Sequence, residues 1–208
     1  SLAFLDVGQG DCFVADTKSG AIIFDGGSSS EDQVGRYRIL PYMKYLGYQK
    51  IQIAVISHMD IDHYSGIKEL LEMGKIKYLG LPEIPKDETM KKIIGIAKKR
   101  GTTIFYLSRG RQITTKDGSL KVLHPQKNSQ MEKNAASLVM QGKILGYRVL
   151  LTGDVEKEGE EELLSEELER ADILKAAHHG SKNSTSNEFL QKVQPKQTVI
   201  YCGKQNRY

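Results

Sequence analysis

Three short apolar segments of this chain, residues 53–56, 147–151 and 173–177, lead into side chains that bind metal ions. Neighbouring strands of an α/β fold end at a shared edge, where such folds place their ligands. Carboxylates and imidazoles gathered at one edge would be costly to bury unless a cation lies nearby. The segments therefore predict a metal site where three strand ends meet. The side chains that follow them are, in chain order, His58, Asp60, Asp62, His63, Asp154, His178 and His179.

The joint occurrence of the three segments carries this prediction. Asp154, which follows a glycine, is by itself equally well explained as the cap of a following helix. Residues 58–63, by contrast, place two His and two Asp at one turn between an apolar strand and an amphipathic helix. The N-terminal amides of that helix would point toward the same place. The segment 58–63 is therefore the strongest single indication of metal binding.

The periodicity of apolar residues predicts one α/β domain in which two sheets lie between outer helices. The chain has 208 residues, which is enough for one domain with a sizeable core. We expect strands near residues 2–7, 11–16, 21–24, 53–57, 78–81, 103–106, 120–124, 137–141, 147–152, 173–177 and 197–201. We expect helices near residues 37–46, 65–72, 87–99, 158–169 and 186–194.

The composition excludes several protein classes. Hydrophobic residues make up 39% and charged residues 27%, which argues against disordered, collagen-like and coiled-coil chains. The apolar runs are too short to cross a bilayer. Two cysteines, Cys12 and Cys202, are too few for a disulfide framework. The formal net charge of +4 is small, and the basic segment 91–127 would either suit an anionic substrate or form solvated surface.

The mixture of imidazole and carboxylate suits Zn, Mn or Fe, and a carboxylate-rich site favours Mn or Mg. We expect one or two divalent ions, with Mn and Zn as the first candidates. Two ions that share one carboxylate would activate a water and stabilise the attacking and leaving oxygens of a displacement. The chain contains neither a Gly-x-Ser-x-Gly motif nor a Walker motif. The sequence therefore favours metal-dependent hydrolysis.

Residues 58–63, His-x-Asp-x-Asp-His, followed by Asp154 and His178, resemble the signature of the metallo-β-lactamase superfamily. More narrowly, the chain resembles the C-terminal domain of ComEC-type competence proteins from its first residues to its last. The matching segments are 4–11, 25–27, 134–139, 172–175 and 178–181. The resemblance implies a four-layer αββα fold and a metal-dependent hydrolase. For ComEC-type proteins it also implies attachment to a membrane DNA-uptake channel and degradation of the strand that does not enter the cell.

The resemblance also implies roles for individual metal ligands. One ion would be held by His58 and by Asp154, which would bridge to a second ion. The broader superfamily has a second His at the position of Asp60, so three roles stay open for Asp60: a direct ligand, a ligand through water, or neither. The ligands of the second ion would be Asp62, His63, Asp154 and His178.

Catalytic roles are expected for Asp60, Asp62 and His179. Either carboxylate would steer the attacking water, and either His179 or Lys175 would contact a phosphate or donate to a leaving oxygen. The alternative for Lys175, which lies within a predicted strand, is that it points to solvent. Other polar residues would orient the ligands or contact substrate, although loops 6–11 and 25–27 would also form ordinary hairpin turns. We favour Asn134 over His124 as a site-lining residue. The supporting residues are Asp6, Gln9, Asp11, Asp25, Asn134, Ser137, Lys175 and Ser181.

Three functions compete at this point. The first is a phosphodiesterase that cuts DNA during competence-type DNA uptake. The second is a metallohydrolase of a small ester, lactone, thioester or cyclic nucleotide, because the fold does not fix the substrate. The third is a non-catalytic DNA-binding or assembly module with a degraded site. Retention of the superfamily ligand types at most positions favours an enzyme.

We expect residues 1–208 to form a single metallo-β-lactamase-like domain cut at both ends from a longer protein. The family continues past the position where this chain stops, so we expect the domain to be shortened at its C-terminus. A parent protein of the ComEC type would tether this domain to the bacterial cell membrane.

Overall fold

The computed structural model of the protein describes residues 1–132 and 134–203, and these residues form two six-stranded sheets. The C-terminal residues 204–208, where we expected the domain to be shortened, lie outside the described residues. Within the described ranges, no helix is both long enough and apolar enough to cross a membrane.

The first sheet has the spatial order β1-β2-β3-β4-β5-β6. Strands β1, β2 and β3 pair antiparallel, and β3 to β6 pair parallel. Its strands are β1 (Leu2–Phe4), β2 (Phe13–Thr17), β3 (Gly20–Phe24), β4 (Ile51–Val55), β5 (Ile76–Pro82) and β6 (Thr103–Leu107).

The second sheet has the spatial order β12-β11-β10-β9-β8-β7. Strands β7 to β10 pair antiparallel, and β10, β11 and β12 pair parallel. Its strands are β7 (Gln112–Thr115), β8 (Gly118–His124), β9 (Val139–Ile144), β10 (Tyr147–Leu151), β11 (Ile173–Lys175) and β12 (Gln197–Val199).

Within the part of the chain that the structure describes, five α-helices connect the strands, and their apolar faces turn toward the sheets. In the third of them, Met90, Ile93 and Ala97 are buried at helical spacing, and the Asp87 side chain caps the first turn by accepting from Met90 N. A π-helical turn, Gly35–Ile39, leads into the first helix. The helices are α1 (Leu40–Tyr45), α2 (Ile61–Glu72), α3 (Glu88–Lys99), α4 (Lys157–Leu164) and α5 (Asn187–Val193).

Three apolar clusters separate four layers of secondary structure. One cluster joins α1, α2 and α3 to the first sheet and includes Met43, Ile67 and Ile93. A second cluster fills the space between the two sheets. The third cluster joins the second sheet to α4 and α5, with Leu163 and Phe189 among its members. The arrangement confirms the predicted αββα fold.

The boundaries of several elements differ from the sequence-based expectation. Helix α2 begins at Ile61 and not at residue 65, because Asp60 is extended and starts the helix there. As a result, Asp62 and His63 lie in the first helical turn. Strand β11 ends at Lys175, and the chain then makes a 3-10 turn over Ala177–Gly180.

Substitution of Ile67 tests how α2 is held against the first sheet. The Ile67 side chain is fully buried against Gly26, whereas Ile61 on the same helix is 54% exposed. We expect Ile67→Ala to lower the free energy of unfolding by about 2–5 kcal/mol in denaturant titrations, because it leaves a cavity. The matched control Ile61→Ala should change it by less than about 0.5 kcal/mol. Equal losses in the two variants would contradict this packing.

Candidate metal centre

Two parallel strands in each sheet end at one edge of the sandwich, and they bring the predicted residues together there. In the first sheet, β3 leads into Asp25 and β4 leads into His58. In the second sheet, β10 leads into Asp154 and β11 leads into the turn that carries His179. Both pairs of strands run parallel as direct neighbours, so their carboxyl ends lie side by side.

The two sheet edges approach each other closely at Gly153. Its φ is +53°, in the left-handed region, and an added Cβ would lie 2.9 Å from the Ser57 side chain. The amide of Leu138 also donates to Ser57 O at 3.0 Å, which links the same two edges. Glycine is therefore needed at position 153 both for its backbone conformation and for the space it leaves.

One carboxylate oxygen, Oδ2 of Asp154, lies at the centre of the cluster. Three histidine Nε2 atoms surround it, those of His63 at 3.1 Å, His179 at 3.5 Å and His58 at 3.9 Å. Asp62 completes the group, since its Oδ2 lies 3.0 Å from Nε2 of His179. Ligand atoms of Asp62, His63, Asp154 and His179 all lie within 4.8 Å of one another, which suits a single ion.

His58 and Asp60 form a smaller group beside this cluster. Nε2 of His58 lies 3.4 Å from Oδ2 of Asp60, whose side chain is 36% exposed. Nε2 of His58 also lies 3.9 Å from Oδ2 of Asp154, so Asp154 lies beside both groups. A second ion would find fewer protein ligands here than at the four-residue cluster.

Hydrogen bonds to the far side of two imidazole rings aim Nε2 at the cluster. Nδ1 of His63 lies 2.9 Å from Oδ2 of buried Asp25, and Nδ1 of His58 lies 3.0 Å from the Ser57 hydroxyl. Asp25 also accepts from the amide and the hydroxyl of Ser57 at 2.7 and 2.8 Å. A carboxylate partner at Nδ1 places the proton there and leaves the lone pair of Nε2 for a metal.

A backbone carbonyl performs the same task for His179. Its Nδ1 donates to Tyr201 O at 3.2 Å. Tyr201 is itself buried, and its hydroxyl donates to the backbone oxygen of Cys12, the residue before β2 of the first sheet. The segment after β12 therefore holds the His179 ring in position from behind.

One observation that does not depend on resemblance indicates that the His and Asp donors of the cluster suit a divalent ion. Nε2 of His58 and Nε2 of His63 are buried, and neither makes a well-aligned hydrogen bond among residues 1–132 and 134–203, although Nε2 of His63 lies 3.1 Å from Oδ2 of Asp154. Buried polar atoms normally have a partner, so these two nitrogens are unusual. Imidazole nitrogen together with carboxylate oxygen is a donor set that Zn and Mn accept.

The charges around the cluster point the same way. Burial raises the pKa of Asp154, but the positive charges of His63 and Lys175 outweigh burial and hold that pKa well below its usual value. Burial lowers the pKa of His63, but the carboxylates of Asp154, Asp25 and Asp11 outweigh burial and raise it well above its usual value. The centre therefore favours positive charge, which a divalent ion would supply.

His178, which the resemblance assigned to the second ion, lies outside the four-residue cluster. Its Nδ1 is 2.5 Å from Oε1 of Glu156. His178 and His179 both have left-handed backbones, with φ of 45° and 52°, and the ring of His179 is the one that lies within the cluster. The geometry therefore favours His179 as the late histidine of the metal centre.

The supporting residues divide into two groups. Asp11, Asp25 and Lys175 lie against the cluster, and the Ser137 hydroxyl accepts from Asp154 N at 3.3 Å. The others hold nearby loops. The acceptors in those loops are Asp6 Oδ1 for Gly8 N, Gln9 Oε1 for Gly203 N, Asn134 O for Ser137 N, and Ser181 Oγ for Asn183 N.

His124 lies beneath α4, as a structural residue. Its Nδ1 bonds Ser137 O at 2.9 Å, and its Nε2 lies 3.5 Å from Glu162. Sequence reasoning missed Ser57, Glu156 and Tyr201 as partners of the histidines. Ser57 adjoins the motif and was open to detection, whereas Tyr201 contributes only a backbone oxygen, which any residue type supplies.

Comparison with known families decides the classification. Residues 5–204 match the metallo-beta-lactamase superfamily. The chain belongs to this superfamily. This fold binds divalent metal ions, and the described residues contain two groups with the geometry to hold one, the His/Asp cluster and a second group of Asp11, Asp25 and His63.

The relatives of this superfamily member include a protein named as a competence protein. The chain is 36% identical to ComE operon protein 3 of Bacillus subtilis (strain 168), over 98% of this chain and 28% of the relative. It is 29% identical to competence protein ComA of Neisseria gonorrhoeae, over 98% of this chain and 27% of the relative. The chain thus spans little more than a quarter of the length of these relatives.

Solved structures share the fold at low identity. The metallo-beta-lactamase fold protein YhfI from Bacillus subtilis has a TM-score of 0.63 at 15% identity, over 97% of this chain and 86% of that one. The short form of human tRNase Z has a TM-score of 0.57 at 14% identity, over 97% and 92% of the two chains. These likenesses concern the fold alone.

Substitution of Asp25 tests whether it orients His63. We expect Asp25→Asn to weaken Mn²⁺ binding about 10- to 100-fold in isothermal titration calorimetry, because Nδ1 of His63 loses its carboxylate partner. Asp32→Asn, at an exposed position, is the matched control and should bind as the parent does. Unchanged affinity in Asp25→Asn would contradict the orienting role.

Proposed function

We propose that this chain is a metal-dependent phosphodiesterase that cuts DNA during competence-type DNA uptake. The observation that carries the hydrolase part is the cluster of Asp62, His63, Asp154 and His179, with ligand atoms within 4.8 Å of one another. The names of the competence-protein relatives support the DNA part. The proposal concerns this domain, since the chain spans only part of those relatives.

The proposed ligands follow the geometry of the cluster. One Mn²⁺ or Zn²⁺ ion is held by Asp62, His63, Asp154 and His179. His179 takes the place that the resemblance gave to His178, because the Nε2 atom of His179 lies 3.5 Å from Asp154 and 3.0 Å from Asp62. A second and weaker site is formed by His58 and Asp60, together with Asp154.

The protein groups have separate tasks in this proposal. A bound divalent ion supplies Lewis-acid polarisation of a phosphoryl oxygen and activates water for attack. Asp25 and the Tyr201 carbonyl keep the Nε2 atoms of His63 and His179 turned inward. Asp60 is the more exposed of the two candidate carboxylates on the turn, so it is placed to accept a proton from the attacking water. Asp62 serves chiefly as a ligand.

Recognition of DNA by this domain would depend on its phosphates. Exposed Lys91, Lys92, Lys98 and Lys99 on α3 are the densest part of the basic segment. Contacts of this kind release counterions, so binding weakens as salt rises. The same contacts carry no base specificity, which suits an enzyme that degrades a strand of any sequence.

An assay with Asp62→Asn tests the proposed chemistry. With Mn²⁺ or Zn²⁺ present, the parent chain should cleave plasmid or single-stranded DNA, and Asp62→Asn should lower the rate by about 100-fold or more, because one ligand is lost. Glu72→Gln lies on the exposed part of the same helix and should leave the rate unchanged. DNA binding measured in parallel should survive both changes.

The substrates separate the competing functions. Cleavage of bis-p-nitrophenyl phosphate without cleavage of DNA would assign a smaller phosphodiester and contradict the DNA part. DNA binding without cleavage, in metal-loaded protein, would favour an assembly module. Full activity of Asp62→Asn would contradict the proposed metal centre.

A further inference from the structure

A buried ammonium group lies next to the carboxylates of the metal centre. Lys175, the last residue of β11, has a side chain that is only 2% exposed. Its Nζ donates to Gly153 O at 2.5 Å and to Oδ1 of Asp154 at 3.4 Å, and it forms an ion pair with Asp11. Burying an ammonium is costly unless it is paired, so its place among two carboxylates needs an explanation.

Lys175 makes the two oxygens of Asp154 unequal. Oδ1 faces the ammonium, whereas Oδ2 faces the Nε2 atoms of the three histidines. A carboxylate can rotate about its terminal bond, and this torsion is broad in proteins. The charged contact therefore fixes the plane of the carboxylate so that one oxygen faces the ammonium and the other faces the metal centre.

Asp11 extends this contact to the histidine rings. One of its oxygens lies 3.5 Å from Nδ1 of His179, and the other lies 3.7 Å from Nδ1 of His63. Asp11 precedes β2 in the first sheet, and Lys175 ends β11 in the second sheet. The Lys175–Asp11 pair thus joins the two sheets directly behind the candidate ligands.

The surroundings act differently on the two members of this pair: at Asp11, burial outweighs the positive charge of Lys175 and raises the pKa of the carboxyl above its usual value. Burial lowers the pKa of Lys175, but the carboxylates of Asp11 and Asp154 outweigh burial and raise it above its usual value. Nζ of Lys175 faces the carboxyl groups of Asp11 and Asp154 and the carbonyl oxygen of Gly153, an arrangement that suits an ammonium. Its charge offsets part of the repulsion among Asp11, Asp25 and Asp154.

We propose that Lys175 is a positioning residue of the metal centre, a resident cation that holds Asp154 Oδ1 and Asp11 so that Asp154 Oδ2 faces the histidines. The metal part of this inference rests on the proposed function, whereas the charge pairing of Lys175 with Asp11 does not. A purely structural lysine would fill space and link the sheets without affecting how the ligands meet an ion.

Four variants separate these roles: Lys175→Met, Asp11→Asn, the double variant that combines them, and the control Lys196→Met. Lys196 precedes β12 in the same sheet, and its exposed ammonium pairs with Asp172 at 2.8 Å. Its substitution therefore removes a paired ammonium at the surface and not at the metal centre. Thermal unfolding in EDTA measures the charge pairing. Calorimetric titration with Mn²⁺ measures the positioning of the ligands.

We expect Lys175→Met alone to lower the unfolding temperature in EDTA, because Asp11 and Asp154 lose their counter-charge. The double variant should recover part of that loss, since it also removes the charge of Asp11. It should nevertheless bind Mn²⁺ about 10- to 100-fold more weakly than the parent, because Asp154 has lost its anchor. Lys196→Met should keep the parent affinity.

The outcomes decide between the two roles. If Lys175→Met fails to fold and the double variant folds, the charge pairing is supported and the double variant supplies the Mn²⁺ measurement. A double variant no more stable than Lys175→Met overturns the charge pairing. Parent-like Mn²⁺ affinity in the double variant overturns the positioning role. A parent chain that binds neither Mn²⁺ nor Zn²⁺ would overturn the proposed function and the positioning role, while the EDTA comparison would still decide the charge pairing.

Discussion

A carboxylate buried between two sheets must be compensated by positive charge, and Asp154 is such a carboxylate. Its Oδ1 is compensated by Lys175, whereas its Oδ2 is surrounded by the Nε2 atoms of three histidines. Lys175 belongs to the second sheet, whereas the three histidines come from the segments that follow β4 in the first sheet and β11 in the second. Three other features surround the Asp154 carboxylate: the close approach of the sheet edges at Gly153, the inward-facing histidine rings and the buried Lys175.

Much of this arrangement is predictable from local sequence, and particular residues show why. His58, Asp62, His63 and Asp154 follow apolar strands, so the general rule that neighbouring strand ends share an edge brings them together. Asp25 and Asp11 were expected as supporting residues because they occupy Gly-containing turns next to strands. The two-sheet fold follows from the alternation of strand and helix patterns.

The remaining features depend on backbone geometry that a sequence pattern does not encode. The adjacent His178 and His179 are chemically identical, so the sequence does not show which ring enters the cluster, and in the structure it is that of His179. Strand β7 was missed because Ile113 is its single buried apolar residue, too little for a visible alternation. Lys175 was expected to support the site, but its burial behind Asp154 depends on how the second sheet packs against the first.

The most direct test of the metal centre is anomalous X-ray diffraction from crystals of this chain grown with Mn²⁺. We expect an anomalous peak bounded by Asp62, His63, Asp154 and His179, with the Asp154 oxygen that faces away from Lys175 as its ligand atom. A peak at His178 and Glu156, or a metal-loaded crystal with no peak near Asp154, would contradict it.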